Sequence, residues 1–410
     1  MIGNLIPSKR FLGFSNSWNQ CNLQKLSTKN ISYGIVQTGD YIENGIPCIR
    51  VVDLTKGNIE KSNLIKTSLK ISQSYKKTVL EKGDLIIALR GEIGLSKCIS
   101  VELEGCNLTR GIARVAPDLS KFDSKYIEFY LNSESIRKVF DQRKNGSALK
   151  EIPISELKKI PVRYPELGEQ KKIADFLSSV NEKISLLKEK HALLAQYKKG
   201  VMQKLFKQEI RFKDENGNDF PDWEVVPLSK LADKNSLKNK DNTVNAVLTN
   251  SAKSGIVNQG DYFNKDIANQ GNLTGYTVVE KNDFIYNPRI SELAPVGPIK
   301  RNHIGQGVMS PLYTTFRFKD ESVLDYLEQY FNTTMWHRYM HSIANFGARH
   351  DRMNITSTDF YALPLPLPCE DEREKIVSFI KALEKKVNAV KEQIKLTETF
   401  KKGLLQQMFV

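Results

Sequence analysis

The same 55-residue segment occurs twice in the chain, first at residues 152–206 and again at residues 355–409. A shift of 203 positions aligns the copies without a gap, and 16 of the 55 positions are identical. The identities include two prolines near the start, a Lys-Gly pair, and a terminal phenylalanine: Pro161/Pro364, Pro165/Pro368, Lys199/Lys402, Gly200/Gly403 and Phe206/Phe409. The sequence therefore predicts a fold with an internal repeat.

Each copy carries a heptad pattern with alternating steps of four and three. The first series is Ile173, Leu177, Val180, Ile184, Leu187, Leu194, Val201 and Leu205, with His191 and Lys198 at two further positions. The second series is Ile376, Ile380, Leu383, Val387, Val390, Ile394, Leu404 and Met408, with Thr397 and Lys401 at two further positions. A 3.5-residue period sustained over more than four heptads is typical of a coiled-coil seam.

Prolines and carboxylates mark the start of both helices. Pro161 and Pro165 disfavour helix upstream, because proline lacks the amide donor and biases the preceding residue towards extended geometry. Glu166 and Glu169 then open the first helix and suit the positive end of its dipole. The span from Ile173 to Leu205 corresponds to a rod of roughly 50 Å at 1.5 Å per residue. If the two helices pair antiparallel, Lys198 and Lys401 would lie near the opposite helix's acidic start, either setting the register or extending towards solvent.

The globular regions are two related domains with loops of different length. Trp18 and Trp223 open them in the same way, and residues 126–128 (Tyr-Ile-Glu) match 326–328 (Tyr-Leu-Glu). Residues 81–86 resemble 280–285, and residues 34–41 resemble 255–262; each predicts a turn followed by a strand. We therefore predict a globular domain at 1–165, a helix at 166–207, a second domain at 208–367, and a second helix at 368–410.

The net charge of +14 lies mostly outside the helices. The helical segments carry +5, which leaves +9 on the globular regions. An excess of positive charge on folded domains suits a polyanionic partner, nucleic acid first, although a generically basic protein remains an alternative.

The cysteines and the lengths of the apolar runs limit the class of protein. Five cysteines without a CxxC pair indicate free thiols in a reducing compartment. The absence of an apolar run of about 18 residues and of a signal-peptide core predicts a cytoplasmic protein without a membrane span.

Catalytic signatures are weak in this sequence. No nucleotide-binding glycine loop is present. The Asn-Pro-Arg-Ile segment at 287–290 lacks the second proline and aromatic residue of an amino-methyltransferase motif. Asp118 and Asp123 only mimic a nuclease constellation, and His337 and His341 lack the glutamate of a zinc-protease motif. A turn, a polar loop and a helix surface are the favoured interpretations.

The duplicated arrangement resembles the specificity subunit of type I restriction–modification systems over the whole chain. The resemblance rests on the proline-rich segments at 160–165 and 363–366, and on Glu-Gln-Lys-Lys-Ile-Ala at 169–174 and Glu-Arg-Glu-Lys-Ile-Val at 372–377. The helix ends at 197–206 and 400–409 are also similar to that family. The resemblance implies an α/β (α+β) fold in which two target-recognition domains are joined by two long helices that form an antiparallel coiled coil with pseudo-twofold symmetry.

The resemblance also implies a function. The chain would be a non-catalytic subunit that binds double-stranded DNA, each domain reading half of a bipartite target. Two methylation subunits and the restriction subunits would be its partners, and S-adenosylmethionine, ATP and magnesium would be bound by them rather than by this chain. Half-sites about one helical turn (~10 bp) apart would suit readers on one side of a duplex.

Basic residues at strand ends and in loops are the candidates for DNA contact. Arg90 and Arg289 both lie six residues after the aspartate of a repeated turn, and arginine suits guanine or phosphate. Two glycine-containing loops before the helices supply further basic residues. The complete predicted set is Arg90, Arg110, Arg143, Lys144, Ser147, Lys150, Arg289, Arg301, Arg349, His350 and Arg352.

Two other functional classes stay open on the sequence alone. A coiled-coil scaffold whose paired domains bind proteins or a cell-surface polymer would show no salt-dependent binding to duplex DNA. An autonomous nuclease or methyltransferase would need the motifs that the sequence lacks.

Overall fold

The computed structural model describes residues 6–146, 150–262, 273–345 and 351–409. The chain divides into two compact units. Unit 1 consists of Met1–Glu189 and Lys391–Val410, and unit 2 consists of Lys190–Val390. Each unit therefore contains a β-rich region together with part of each long helix.

The β-rich region of unit 1 is built from short strands and short helices. Its strands are β1 (Asn19–Asn22), β2 (Ser32–Tyr33), β3 (Ile46–Ile49), β4 (Ile65–Thr67), β5 (Leu85–Ala88), β6 (Ser96–Cys98), β7 (Asn107–Leu108), β8 (Ile112–Val115) and β9 (Pro161–Tyr164). Its helices are α1 (Leu23–Leu26), α2 (Val51–Leu54), α3 (Leu69–Ser74), α4 (Ser124–Leu131), α5 (Glu134–Arg143) and α6 (Ile154–Leu157), and the long helix α7 (Leu167–Phe206) follows.

The β-rich region of unit 2 is likewise built from short strands and short helices. Its strands are β10 (Glu224–Pro227), β11 (Ala232–Lys234), β12 (Leu248–Ser251), β13 (Gly255–Asn258), β14 (Thr277–Val279), β15 (Phe284–Tyr286), β16 (Ile299–Arg301), β17 (Gly307–Met309), β18 (Thr314–Phe318) and β19 (Pro364–Leu367). Its helices are α8 (Leu228–Leu231), α9 (Gln259–Tyr262), α10 (Leu324–Phe331), α11 (His337–Ile343) and α12 (Ser357–Tyr361), and the second long helix is α13 (Glu370–Met408).

A four-stranded antiparallel sheet with the same strand order forms the centre of each unit. The order is β2-β8-β5-β6 in unit 1 and β11-β18-β15-β16 in unit 2. In each unit a separate strand pair, β1 with β9 or β10 with β19, connects the start of the β-rich region to its exit. The internal repeat predicted from the helices therefore extends through the sheets.

The repeated aspartate turns occupy equivalent places. Asp84 precedes β5 and accepts a hydrogen bond from Nε of Arg114 at 2.7 Å, with both side chains buried. Asp283 precedes β15 and accepts a hydrogen bond from Nε of Arg317 at 2.6 Å. Burial raises the pKa of Asp84, and the Arg114 guanidinium opposes that rise. The two turns are thus one structural element repeated, as the sequence predicted.

The resemblance between residues 34–41 and 255–262 does not mark equivalent positions, so that prediction is wrong. Gly34 directly follows β2, whereas Gly255 opens β13, which pairs with β12 rather than with the central sheet. The structural counterpart of β2 is β11, which ends at Lys234. A short turn-and-strand pattern recurred at two places because glycine and alternating apolar residues suit any tight turn.

The long helices are buried along one stripe. All residues of both heptad series are buried or half-buried, and most residues between them are exposed. In unit 2, Met202 and Phe206 of α7 share a core with Ile376 and Ile380 of α13. In unit 1, Val180 and Ile184 share a core with Leu404 and Met408. Each unit's core therefore contains side chains from both long helices.

Charged pairs link the helices at positions that the repeat does not share. In unit 2, Nζ of Lys198 lies 2.6 Å from Glu384. In unit 1, Nζ of Lys188 lies 2.7 Å from Glu398. The sequence placed Lys198 near the acidic start of α13, but its partner lies fourteen residues beyond Glu370. Lys401 is half-buried, and this burial lowers its pKa.

A buried ion pair anchors the start of each long helix. Glu169 is fully buried and receives Nε and Nη2 of Arg10 at 2.7 and 2.8 Å. Glu372 is fully buried and receives Nη2 of Arg211 at 2.8 Å and Nε1 of Trp223 at 2.8 Å. The carboxylates raise the pKa of both arginines through these hydrogen bonds. The sequence had assigned these glutamates only to the helix dipole.

The segment before the first domain repeats the linker before the second. The amide of Lys9 donates to the carbonyl of Gln407 at 2.9 Å, and the amide of Glu209 donates to that of Lys204 at 2.9 Å. Gln407 and Lys204 are equivalent under the 203-residue shift. Phe11 then packs on Phe176, and Phe212 packs on Phe379, at 5.7 and 5.6 Å between ring centroids.

Substituting Gly200 or Gly403 with alanine should stabilise the helices. Both glycines lie within long helices, and a Cβ added at either would meet nothing within 4 Å. Alanine is favoured over glycine in a helix interior by about 1 kcal/mol, so each change should raise the free energy of unfolding by up to that amount. Hydrogen exchange of the helix amides checks this, and Gly34→Ala is the opposing control. Its added Cβ would lie 2.1 Å from the carbonyl oxygen of Leu108, so a rise in stability there would contradict the reasoning.

All five cysteines are free, and burial raises the pKa of the Cys48 thiol to about 12. In the described part of the chain, no helix is both long and apolar enough to cross a membrane.

Candidate nucleic-acid interface

In unit 1, Arg90 and Glu151, which follows the predicted basic loop, lie together at one end of the central sheet. Arg90 follows β5 and forms an isolated antiparallel bridge with Glu151, while the amide of Ile152 donates to the carbonyl of Leu89 at 2.9 Å. Glu151 also exchanges two backbone hydrogen bonds with Asn145, at 2.8 and 2.9 Å. Asn145 and Glu151 are thereby held together, and Glu151 is held beside the arginine.

Unit 2 builds the corresponding corner in a similar way. Arg289 follows β15 and bridges Arg352, the amide of Ile290 donates to the carbonyl of Asp351 at 3.0 Å, and Asn345 bridges Asn354. The equivalence of Arg90 and Arg289, predicted from their distance to the aspartate turns, therefore holds in position. Both arginines are exposed, with 46% and 65% of the side chain accessible.

Carboxylates from the returning segments lie next to these arginines. Glu151 Oε2 is 3.9 Å from Nε of Arg90. Asp351 Oδ2 is 3.6 Å from Nη2 of Arg289 and 3.9 Å from Nε of Arg352. Neither carboxylate is predicted from the sequence, because neither lies in a repeated motif and only the β-bridges bring them to the arginines.

A cleft of about 390 Å³ opens at the corner of unit 2. Arg289 and Arg352 line it, together with Thr249 and Tyr313, whose hydroxyl groups are 3.0 Å apart. Asn250 forms part of the wall and donates to the carbonyls of β15 and of Pro298, while its buried Oδ1 has no hydrogen-bond partner among the described residues. The lining can donate and accept hydrogen bonds, as a base edge requires.

The Asn-Pro-Arg segment has a structural role at this corner. Nδ2 of Asn287 donates to the carbonyl of Asn250 at 2.9 Å, and its Oδ1 accepts from the amide of Arg289 at 3.0 Å. Both ends of the Asn287 side chain therefore fix the turn that carries Arg289. This agrees with the turn favoured over a methyltransferase motif.

Other predicted contacts lie near the same corner of unit 1. Arg110 is exposed and precedes β8, and the next residue, Gly111, accepts a hydrogen bond from the amide of Leu89 at 2.8 Å. Lys150 is exposed, whereas Arg143 and Lys144 are half-buried. Arg143 pairs with Glu156 at 3.3 Å, and Lys144 pairs with Asp141 at 2.8 Å.

Arg301 does not join the corner that contains Arg289. It faces Phe284 at the start of β15, whereas Arg289 follows the other end of that strand. Its side chain is 11% exposed and bonds Asp325 at 2.6 Å and Asn282 at 2.7 and 3.0 Å. These contacts use the guanidinium to hold α10 on the sheet. Ser147, Arg349 and His350 lie outside the described residues.

The acidic residues considered for catalysis have local partners. Asp118 accepts hydrogen bonds from Ser120, which lower its pKa. Asp123 caps α4 by accepting from the amide of Tyr126 at 2.8 Å. No group of three or more histidine, cysteine, aspartate or glutamate side chains that could hold a metal occurs in the described ranges.

Comparisons with known proteins agree with this architecture. A family model described as Type I restriction modification DNA specificity domain matches residues 12–196. The EcoBI specificity subunit of Escherichia coli is 28% identical over 158 residues, which cover 38% of this chain and 33% of that protein. The match thus spans about a third of that relative's length. The putative MjaX specificity subunit of Methanocaldococcus jannaschii is 24% identical over 389 residues, 88% of this chain and 85% of the relative.

Solved structures share the fold along almost the whole chain. The type I restriction–modification S subunit of M. genitalium has a TM-score of 0.54 at 13% identity and covers 99% of both chains. The HsdS subunit of Thermoanaerobacter tengcongensis has a TM-score of 0.52 at 16% identity and covers 98% of this chain and 97% of that one. Residues 12–196 thus match the type I restriction modification DNA specificity domain, and the chain has the fold of the solved S and HsdS subunits along almost its whole length.

Proposed function

We propose that the chain binds double-stranded DNA at a bipartite site, with one half-site read by each β-rich region. The observation that carries this proposal is the repeated corner, where an exposed arginine that follows a central strand is bridged in both units to the segment returning towards the long helix. Arginine on a rigid strand end can reach base edges or phosphates. The positive charge of the globular regions supports a polyanionic ligand.

The long helices set the distance between the two readers and bind two methylation subunits in this proposal. The chain selects the sequence and performs no chemistry. S-adenosylmethionine belongs to the methylation subunits, and ATP and magnesium belong to the restriction subunits. The local structural roles of Asp118, Asp123 and Asn287 support this division, because each is engaged in a cap or a turn.

Methylation of host DNA tests the proposed function. The chain is produced together with the methylation subunit of the same system, and modified bases of the host DNA are mapped by single-molecule sequencing. We expect two short half-sites separated by a fixed gap. A soluble assembled complex that leaves the DNA unmodified, and that shows no sequence preference in band-shift titrations, would contradict the proposal.

Binding of the assembled complex to its site should weaken steeply as salt rises. Each neutralised phosphate contributes a slope of about −0.9 to the dependence of log K on log salt, so six contacts would cost about 10³-fold between 50 and 200 mM. Titrations at several salt concentrations measure the slope. A protein-binding scaffold would show no such dependence on duplex DNA, and a flat profile would favour that alternative.

Lengthening both helices by one heptad should widen the unread gap. A seven-residue insertion after Leu187 and another after Val390 preserve the seam, because these positions are equivalent in the repeat. Each adds about 10 Å of helix, the length of roughly 3 base pairs. The methylated motif should keep its half-sites and gain spacer length, whereas altered half-sites would show that the helices do not act as a spacer.

A further inference from the structure

We infer that each unit reads one G·C base pair with an arginine and the carboxylate beside it, Arg289 with Asp351 in unit 2 and Arg90 with Glu151 in unit 1. The inference rests on the proposed DNA-reading function and extends it to the bases read. Arg289 and Arg90 are the contact residues. Asp351 and Glu151 position them and can accept a hydrogen bond themselves.

Backbone pairing fixes where each arginine starts. Residues 288–290 exchange hydrogen bonds with residues 351–353, since the amide of Met353 donates to the carbonyl of Pro288 and the amide of Ile290 donates to that of Asp351, both at 3.0 Å. Arg90 is held by its bridge to Glu151. A fixed Cα with an exposed guanidinium is the arrangement needed to place a long side chain against a base.

The neighbouring carboxylates favour a base edge over a phosphate. Asp351 lies within 4 Å of two guanidinium groups, and Glu151 lies within 4 Å of one. A phosphate brought to either arginine would be repelled by this carboxylate, whereas the neutral guanine edge would not be. The distances of 3.6–3.9 Å are longer than a hydrogen bond, so the guanidinium donors remain available.

The pattern of donors and acceptors matches a G·C pair. In the major groove, guanine offers the acceptors O6 and N7, which arginine binds with two parallel hydrogen bonds. The cytosine of the same pair offers an N4 amino group, which a carboxylate accepts. An arginine and a carboxylate held side by side therefore complement both bases of one pair.

The surroundings preserve this geometry in both units. At Gly111, an added Cβ would lie 3.3 Å from Cγ and Nε of Arg90 and 2.8 Å from Val51, so glycine leaves the space that the arginine stem occupies. In unit 2, the turn carrying Arg289 is fixed by Asn287. Gly111 and the Asn287 turn differ in chemistry, but each restricts where the arginine side chain can lie.

The test compares sequence preference, not affinity alone. The full chain is assembled with its methylation subunits, and binding is measured on duplexes in which each base pair of the recovered site is replaced in turn. For the unaltered chain we expect one G·C pair in each half-site to be preferred by about 5- to 150-fold. Arg289→Lys and Asp351→Asn should each remove this preference at one pair of one half-site and leave the other positions unchanged.

Further variants separate positioning from general stability. Asp351→Glu should restore part of the preference, and Arg90→Lys and Glu151→Gln should act on the other half-site. Arg338→Lys is the matched control, because Arg338 is exposed on α11 and does not line the cleft. Its profile should equal that of the unaltered chain.

The outcomes distinguish the inference from the proposed function. Failure of the unaltered complex to select any bipartite site overturns the proposed function. A bipartite site whose Arg289→Lys and Asp351→Asn profiles fall evenly at all positions, with a smaller salt slope, overturns only the inference, because it indicates phosphate contact. A site without a G·C pair in either half also overturns the inference.

Discussion

Replacing Arg211 with methionine should lower the free energy of unfolding of unit 2 by about 3–5 kcal/mol, the usual cost of removing one partner of a buried ion pair. Glu372 is fully buried, and Arg211 supplies two of its hydrogen bonds at 2.8 and 3.1 Å. Methionine fills a similar volume but leaves the carboxylate with only the indole N–H of Trp223 from this group of contacts. The cost thus arises from a desolvated charge without its counter-ion.

Hydrogen exchange under increasing urea measures this effect, since peptides from unit 2 can be followed separately from those of unit 1. Lys213→Met is the control, because Lys213 is exposed and its pair with Asp219 spans 3.4 Å. We expect little change there, as for exposed pairs in general. Equal effects of the two substitutions would show that burial of Glu372 does not determine the stability of this helix start. Arg10→Met should affect unit 1 in the same way, through Glu169.

Replacing Phe409 with alanine should destabilise unit 1 by about 3–5 kcal/mol, the range for removing a buried phenylalanine. The ring is 6% exposed and packs at 5.6 Å from Tyr126 and 5.8 Å from Tyr130, between centroids. These tyrosines belong to α4, so the phenylalanine fixes the end of α13 to the β-rich region. Its loss leaves a cavity that the surrounding aromatic rings cannot fill without moving.

Phe400→Ala provides the matched control for this substitution. Phe400 lies on α13 within the same unit, but 53% of it is exposed. The control should change stability by less than about 1 kcal/mol, because surface substitutions away from packed features have small effects. Thermal unfolding and hydrogen exchange of α4 report both variants. A larger loss for Phe400→Ala would show that the exposed face of the helix, rather than the buried aromatic cluster, determines stability.

The periodic parts of the structure were predictable and the irregular parts were not. The heptad series that begin at Ile173 and Ile376 continue over many helical turns, so their period is clear from the sequence. The aspartate turns were also found, because a turn needs particular residues at fixed spacing. The similarity of the segments at Gly34 and Gly255 does not reflect structural equivalence, since a short turn pattern carries too little information to establish it.

The candidate interface shows the same division. Arg90 and Arg289 were identified from their spacing to the aspartates, which are parts of the repeated frame. Glu151 and Asp351 lie more than 60 residues from those arginines in the chain, and single-sequence patterns do not report such long-range pairing. Arg301 was included for its charge, but its burial against Asp325 depends on the packing of α10, which the sequence did not specify.

The hydrogen bonds of Lys9 and Glu209 to equivalent helix carbonyls have a consequence for how the β-rich regions can vary. The segment that leads into the first β-rich region uses the same contacts as the linker that leads into the second. Both β-rich regions are therefore entered through the same kind of backbone contact with the end of a long helix. A β-rich region replaced after such a junction would keep this contact, so either region can change its sequence without a new fold.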